Sequence, residues 1–398
     1  MVRLEMAAVS TAERRGAAEA RSQFRWLATG LEALEAMLEC VPAAQKAIRL
    51  ETYIYHIGPT GERFRDALIA AAQRGVKVQV LIDAIGSFSL PDTFWDPLRA
   101  VGGECLWFNP ITLGRWSYRN HRKMLVCDDT VAFIGGFNIA DEYHGDGVTH
   151  GWRDLGIVIR GGKLVQALAA SFDAFFGRAA FQHKRLQRFR RAAHEVVTGD
   201  NWQLLTGGPG RQLGPMQGAI RQDLAKARSV RIISSYFLPA WRLRKMLTGV
   251  CRRGGRVQLI LAGKSDVRMS QLASRRLYRQ LLKDGIEIFE YEPQILHAKL
   301  FIVDDVAYVG SANMDVRSLR INYELLVRIK EPAIAERARE IFDEDLKYCR
   351  QIHRTTWRKS RTLWEKLKER WAYFFLARVD PFIHRQEMRL LRSQARNS

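Results

Sequence analysis

The stretch HRKMLVCDDTVAFIGGFN at residues 121–138 is repeated in altered form as HAKLFIVDDVAYVGSAN at residues 297–313. Both copies contain His-x-Lys, then four residues, an Asp, and a turn of small residues that ends in Asn. With 9 histidines in 398 residues, a chance match to this spacing is expected only about 0.02 times. Two copies in one chain therefore indicate an internal duplication.

The sequence around each copy repeats as well. FRDALIAAAQRGVKVQVLIDAIGS at 64–87 has the pattern of an amphipathic helix, a glycine turn and an apolar strand, and LRKMLTGVCRRGGRVQLILAGKSD at 243–266 has the same order. Further strands are predicted upstream, at 48–57 and 230–239, and downstream, at 102–110 and 284–293. Such short connections favour right-handed βαβ units. We therefore predict an α/β fold with two pseudo-twofold-related lobes, each a mixed, largely parallel sheet flanked by helices.

Five segments follow from this plan. We predict an N-terminal extension at 1–23, a first lobe at 24–176, a basic connector at 177–199, a second lobe at 200–350 and a C-terminal extension at 351–398. The stretch 177–194 carries six basic residues and no acidic one. It is an exposed connector or the charged end of a helix.

The net charge restricts the partners. The chain has 63 Lys and Arg against 42 Asp and Glu, a net charge of +21, which points to nucleic acid or an anionic membrane surface. No uncharged stretch approaches the roughly 18 residues of a membrane span, and no signal peptide is evident. Five scattered cysteines without a C-x-x-C pair indicate a reducing compartment and no structural zinc. These features predict a cytoplasmic protein with only peripheral membrane contact.

The C-terminal extension is the candidate for that contact. Residues 351–398 hold 12 basic and 4 acidic side chains, and large apolar residues recur at helical spacing: Trp357, Trp364, Leu367, Trp371, Phe374 and Phe375. A basic amphipathic helix with this pattern can lie in an anionic membrane interface. The same stripe can instead pack on the protein's own core, and both interpretations stay open.

The repeated motif suits phosphoryl chemistry. His121 and Lys123 alternate along a predicted strand, as do His297 and Lys299, so each pair points to one face. If the lobes meet around a pseudo-twofold axis, two histidines, two lysines and the asparagines Asn138 and Asn313 reach one cleft. One imidazole can attack phosphorus and the other can move protons, while ammonium and amide groups hold the phosphate oxygens. We expect no metal and no other cofactor.

A catalytic histidine usually needs a carboxylate on its second ring nitrogen. Asp154 and Glu324 stand on the next predicted strand of each half and are candidates for this function. Either one could instead be a surface charge at a strand end.

The duplicated motif resembles that of the phospholipase D superfamily. The segments RNHRKMLVCDD, AFIGGFNIADEY, WRDLGIVI, SYFLP and SANMDVRSLRINYELLV are most similar to bacterial cardiolipin synthases, here of the type without N-terminal transmembrane helices. The similarity runs from about residue 24 to 350. It implies a phosphatidyltransferase that makes cardiolipin from phosphatidylglycerol through a covalent phosphohistidine, on the inner face of the cell membrane.

The resemblance also implies residue roles. His121 would be the nucleophile and His297 the acid and base, although the near symmetry allows these roles to be exchanged. Phosphate would be bound by Lys123, Lys299, Asn138 and Asn313, and the histidines would be oriented by Asp154 and Glu324. The motif's last members, Asp128 and Asp304, are grouped with the catalytic residues, with the more structural task of holding the hairpins.

The sequence departs from the family pattern at the two hairpins. The second hairpin is one residue shorter than the first, and the first turn has Gly-Gly where the second has Gly-Ser.

Three other functions stay open. A phospholipase that transfers to water uses the same residues, and so does a metal-independent nuclease. A binding protein descended from an enzyme is the third alternative. Nucleic acid is the less favoured partner, because no nucleic-acid-binding module is evident.

Overall fold

The chain folds around two mixed β-sheets, one from each half. A computed structural model describes residues 23–109, 118–180, 195–209 and 214–380. Residues 1–22 of the predicted N-terminal extension, 181–194 of the predicted connector and 381–398 of the C-terminal extension lie outside the described residues. The boundaries proposed for the five segments stay predictions.

The first sheet has seven strands in the order β1-β7-β6-β5-β2-β3-β4. These are β1 (Phe24–Leu27), β2 (Ala47–Thr52), β3 (Lys77–Asp83), β4 (Glu104–Phe108), β5 (Met124–Cys127), β6 (Val131–Gly135) and β7 (Gly156–Arg160). Its helices are α1 (Gly30–Ala43), α2 (Pro59–Gln73), α3 (Asp96–Ala100) and α4 (Gly162–Ala180).

The second sheet has nine strands in the order β18-β13-β12-β10-β14-β15-β17-β9-β8. These are β8 (Val196–Thr198), β9 (Trp202–Gly207), β10 (Ser229–Ser234), β12 (Arg256–Ala262), β13 (Glu287–Tyr291), β14 (Lys299–Val303), β15 (Val306–Gly310), β17 (Glu324–Ile329) and β18 (Cys349–Ile352). The short strands β11 (Phe237–Leu238) and β16 (Met314–Asp315) pair separately.

Seven helices accompany the second sheet among the described residues. They are α5 (Pro215–Leu224), α6 (Trp241–Arg252), α7 (Arg268–Lys283), α8 (Val316–Arg320), α9 (Pro332–Leu346), α10 (Arg354–Lys359) and α11 (Leu363–Phe374). Within the described parts of the chain, no helix combines the length and the apolar character needed to cross a membrane.

The predicted fold class is confirmed, with a smaller parallel share than expected. Among the described residues, the parallel runs in the two large sheets are β2-β3-β4 and β10-β12-β13, which are the predicted βαβ units. The short pair β11-β16 is also parallel. The remaining pairings in both large sheets are antiparallel. The reason is that each motif forms a hairpin, β5-β6 or β14-β15, and a two- to three-residue turn can join only antiparallel strands.

Local sequence explains how each βαβ unit turns. Helix α2 buries Phe64, Leu68, Ala71 and Ala72, which share one helix face at spacings of three and four residues. Gly75 then adopts a φ of +87°, a left-handed conformation that glycine tolerates best. The matching residue in the second lobe is Gly254, with a φ of +82°. It lies one position before Gly255, the glycine that stands opposite Gly75 when the two repeats are aligned.

The two sheets share one central core. This cluster contains apolar residues of both halves, such as Ile157 and Phe172 from the first and Val309 and Phe342 from the second. Helix α9 of the second lobe contacts β1 of the first, and the Trp26 indole N–H donates to the carbonyl of Ile334 at 3.1 Å. The lobes are therefore held face to face, with the motif hairpins toward each other.

Candidate active site

The segments that carry the two histidines are fixed by the opposite lobe. The main-chain N–H of His121 donates to the carbonyl of Tyr323 at 2.9 Å. Equivalently, the N–H of His297 donates to the carbonyl of Arg153 at 2.8 Å. Each acceptor stands immediately before a predicted orienting carboxylate, Glu324 or Asp154. The pseudo-twofold relation is thus made by short strand-like contacts between lobes.

Both imidazoles face a single cavity of about 360 Å³. His121 and His297 line it together with Asn313, and the rings of Tyr53, Tyr143 and Tyr236 form much of the wall. Both histidines are buried, with 8% and 3% of their surface exposed. A cavity of this size admits a phosphodiester and its neighbouring atoms.

The two carboxylates serve the histidines in a crossed arrangement. Nδ1 of His121 lies 3.0 Å from Glu324 of the second lobe, and Nδ1 of His297 lies 2.6 Å from Asp154 of the first. Both carboxylates are fully buried. Each carboxylate accepts a hydrogen bond from the Nδ1–H group, so the reactive Nε2 atom carries the lone pair and faces the cavity. The sequence predicts the two carboxylates but gives no sign that each crosses to the other lobe.

Burial keeps both imidazoles neutral. It lowers the pKa of His121 to about 4, although Glu324 acts in the opposite direction. Burial, together with the Lys299 ammonium, also lowers the pKa of His297. On Asp154, burial acts to raise the pKa, but the neighbouring His297 and Lys299 hold it below its usual value. Both histidines therefore present neutral ring nitrogens to the cavity, and each is backed by a buried carboxylate.

The motif lysines lie just beneath the histidines. The Lys123 ammonium donates to the carbonyl of His121 at 2.8 Å and sits 5.3 Å from the ring centre of Tyr53. The Lys299 ammonium donates to the carbonyl of His297 and to the hydroxyl of Ser235. Burial lowers the pKa of Lys123 to about 7 and also lowers that of Lys299. An anionic ligand in the cavity would favour their charged forms.

The two asparagines are placed differently with respect to the cavity. Asn313 lines it, and its side-chain oxygen accepts from the hydroxyl of Ser235 at 2.8 Å. Asn138 is fully buried; its oxygen accepts from the N–H of Ile54 at 3.0 Å, and its amide donates to the hydroxyl of Tyr143 at 2.7 Å. Asn138 therefore meets the cavity through Tyr143.

Asp128 and Asp304 lie away from the cavity. Asp128 occupies the hairpin turn after β5, and its carboxylate accepts from the backbone N–H groups of Gln45, Lys46 and Ala47 at 2.7–2.9 Å. Asp304 accepts from the N–H of Ser229 at 2.8 Å in the same way. The six residues between histidine and aspartate span an extended strand of about 20 Å. Their grouping with the catalytic residues stays a prediction, and in the structure each ties a turn to the start of the neighbouring strand.

The Gly-Gly and Gly-Ser turns explain a difference between the two histidines. A Cβ atom on Gly136 would lie 2.3 Å from Oδ1 of Asp154, so the first lobe needs glycine there. At the matching place, Ser311 donates its hydroxyl to Glu324 at 2.5 Å. Ser311 shares the charge of the carboxylate that supports His121, whereas Asp154 directs more of its charge to His297.

The aromatic residues around the histidines were not predicted from the sequence. The Tyr53 ring packs edge-on against His121 at 5.1 Å, and Tyr143 and Trp152 pack on His297 at 5.1 and 5.7 Å. Tyr53 and Tyr236 stand 183 residues apart, close to the 176 residues that separate His121 from His297. Both tyrosines could have been predicted from this repeated spacing.

The mouth of the cavity is bordered by the C-terminal extension. Leu376 and Asp380 belong to the cavity lining, and Asp380 pairs with Arg317 at 2.5 Å. Helix α11 packs on α7 and buries Glu369 and Ala372. Its outer face exposes Leu363, Trp364, Leu367, Trp371, Phe374 and Phe375. Trp357 is instead buried against Tyr278, so the stripe is divided between core packing and an exposed apolar face.

Comparisons with known proteins agree with the geometry. The family model described as "Cardiolipin synthase, PLD-like domain" matches residues 37–176 and 220–346. The chain is 34% identical over 355 residues to cardiolipin synthase 2 of Bacillus cereus, covering 86% of this chain and 68% of that protein. It is 33% identical over 348 residues to the major cardiolipin synthase of Bacillus subtilis, covering 85% and 72%.

Solved structures support the fold. The phosphatidylserine synthase of Haemophilus influenzae superposes with a TM-score of 0.70 at 15% identity, over 91% of this chain and 95% of that one. At this identity the likeness concerns the fold alone.

Proposed function

The chain belongs to the cardiolipin synthase family of the phospholipase D superfamily, and from this premise we propose that it is a phosphatidyltransferase that makes cardiolipin from phosphatidylglycerol. The observation that carries the proposal is one cavity with two buried, neutral imidazoles, each backed by a carboxylate of the other lobe. Such a pair divides a difficult phosphoryl substitution into two easier ones.

In the first step, Nε2 of His121 attacks the phosphorus of one phosphatidylglycerol. The bond from phosphorus to the head-group glycerol breaks, and His297 gives that leaving oxygen a proton. The phosphate anion next to His297 favours its protonated form before the reaction, and Asp154 at 2.6 Å stabilises the imidazolium. Free glycerol departs, and a phosphatidyl group remains on His121.

In the second step, the terminal hydroxyl of another phosphatidylglycerol attacks the same phosphorus. His297, now neutral, takes the hydroxyl proton, and the bond between phosphorus and nitrogen breaks. Cardiolipin is released, and both histidines return to their starting states. His121 suits the nucleophile because its pKa is lowered to about 4 by burial and because Ser311 shares the charge on Glu324.

Charge on the five-coordinate phosphorus must be stabilised in both steps. Lys123 and Lys299 supply two ammonium groups beneath the histidines, and Asn313 supplies an amide at the cavity wall. Such preorganised donors act more strongly at a buried site than in bulk water. Asn138 contributes by fixing the hydroxyl of Tyr143, which lies 3.5 Å from Nε2 of His297.

The lipid substrate places the protein at a membrane, and we propose peripheral attachment to the cytoplasmic face of the cell membrane. The exposed apolar face of α11 supports this, since Trp364 and Trp371 are 73% and 67% exposed. Lysines and arginines lie along the same helix, as in helices that rest in anionic interfaces. Because Leu376 and Asp380 reach the cavity mouth, this face would bring the opening close to the lipid head groups.

The product formed from pure lipid tests the function. Purified protein is incubated with phosphatidylglycerol vesicles, and cardiolipin and free glycerol are expected in equal amounts. Phosphatidic acid as the main product would instead identify a hydrolase, and cleaved plasmid with unchanged lipid would identify a nuclease. His121→Ala and His297→Ala should each lose several orders of magnitude in rate. His150→Ala, in an exposed loop, is the matched control.

A further inference from the structure

A second concave site lies outside the catalytic cavity. It has a volume of about 620 Å³ and is formed by α5, α6 and α8. Five basic side chains line it: Arg221, Arg242, Lys245, Arg253 and Arg320. We call it the basic groove. No step of the proposed reaction uses any of these residues.

The basic groove carries an excess of positive charge. Most other arginines near carboxylates form ion pairs, but in the described ranges none of these five cations has a carboxylate within 4.0 Å. The described residues that line the groove include no acidic one. Two buried polar atoms of the lining, Nε of Arg320 and Oε1 of Gln217, also have no hydrogen-bond partner among the described residues. Arg253 donates to the carbonyl of Leu224 at 3.0 Å. Cations without a carboxylate partner and unsatisfied polar atoms at one concave site are features of an anion site.

The wall between the cations is apolar. Ile220, Leu243, Met246 and Leu319 contribute aliphatic surface to the groove. At its rim Trp241 is 63% exposed, with the Lys245 ammonium 5.3 Å from its ring centre. An aliphatic wall beside a cluster of cations fits an acyl chain beside a phosphate. It does not offer the series of aromatic faces on which nucleic acid bases stack.

The position of the basic groove favours a membrane lipid. Helix α6 also contacts α11, where Arg244 donates to the Tyr373 hydroxyl at 3.4 Å. Helix α8 borders both sites: Val316 and Arg317 line the catalytic cavity, whereas Leu319 and Arg320 line the groove. The groove is therefore next to the exposed face of α11 and to the cavity. We propose that it binds the phosphate and glycerol backbone of an additional anionic phospholipid that is not being converted.

The charge contribution can be measured with vesicles. The variant R221Q/R242Q/K245Q removes three exposed groove cations, and K46Q/K77Q/K163Q removes three exposed lysines from other parts of the surface. On phosphatidylcholine vesicles that contain about one fifth phosphatidylglycerol, the groove variant should bind on the order of 100-fold more weakly than the unmodified chain. The control should lose less than about threefold, because distant charges are screened. Equal losses in the two variants would overturn the proposal.

A soluble lipid distinguishes a lipid site from a site for free phosphate. H121N prevents turnover, and titration of this protein with dihexanoyl phosphatidylglycerol should show a binding event. The event should be absent when the chain carries H121N and R221Q/R242Q/K245Q together. Inorganic phosphate at the same concentration should displace little of the lipid. Complete displacement by phosphate, or tighter binding of a short oligonucleotide, would reject a lipid site.

The outcome is independent of the reaction. Groove-dependent lipid binding in a protein that forms no cardiolipin would overturn the proposed function and leave the groove assignment intact. Cardiolipin synthesis with a groove variant that binds like its control would overturn the groove assignment alone.

Discussion

A single methyl group at Gly136 should separate catalysis from folding. The Cβ of G136A would lie 2.3 Å from Oδ1 of Asp154 and 2.9 Å from its Cγ and Oδ2. The carboxylate must therefore retreat by about 1 Å to reach an ordinary van der Waals distance. Because only the end of a side chain is in the way, the backbone can stay where it is.

The expected loss follows from that displacement. Asp154 accepts from Nδ1 of His297 at 2.6 Å, and a shift of about 1 Å takes this contact beyond hydrogen-bond distance. Misplacement of this size costs on the order of 100-fold in rate, and complete loss of an orienting carboxylate costs about 10⁴-fold. We expect kcat of G136A for cardiolipin formation to fall between these limits.

Two other glycines supply the controls. A Cβ on Gly135 would meet the carbonyl of Leu155 at 2.7 Å and Cα of Gly156 at 2.8 Å, which are backbone atoms that cannot move independently. G135A should therefore unfold at a lower temperature, at a cost of roughly 1–3 kcal/mol. Gly177 lies in helix α4 with open space around it, so G177A should keep the parent rate and should not lower the unfolding temperature. If G136A keeps the parent rate, or loses rate only together with thermal stability as G135A does, the reasoning is refuted.

Three further expectations concern the crossed carboxylates, acid pH and the helix α11. D154N should slow cardiolipin formation on the order of 10³-fold, and in double-variant rate measurements its effect should overlap with that of H297N and not with that of H121N; overlap with H121N instead would contradict the crossed pairing. Because His121 must be neutral to attack and burial lowers its pKa to about 4, kcat/KM should persist as pH falls through 6.5 and decline only near 4, and a decline near 6.5 would argue for an unperturbed nucleophile. W364S/W371S should reduce vesicle cosedimentation at least about tenfold without a change in Tm, since both rings are exposed; a lowered Tm would assign them to core packing.

Local rules were sufficient for most of the fold. The helix, glycine turn and apolar strand of each half were readable because periodicity and turn chemistry act within about twenty residues. The antiparallel majority of the pairings was less evident, since it depends on where β7 and β17 return across the sheet. The exact glycine of the second turn, Gly254, also required the backbone, because two adjacent glycines satisfy the pattern equally well.

The site shows the same division. His121 and His297 and their two carboxylates could be named from the repeat, whereas the exchange of partners between lobes has no signal within either half. Similarly, Arg317 and Asp380 are 63 residues apart, and no periodicity relates them. The basic groove joins three helices that are remote in sequence, so its five cations look like ordinary surface charges until they are placed together.

The exchange of carboxylates between lobes has a consequence for how such a chain can change over time. A gene fragment that encodes one half alone specifies a histidine whose Nδ1 partner is missing. Neither half is a self-sufficient ancestor of the present site, so a primordial single-copy version would have needed to dimerise head to head before the two copies were fused. Once two copies are fused, each can change separately, and Gly136 and Ser311 are an example of equivalent positions that now differ.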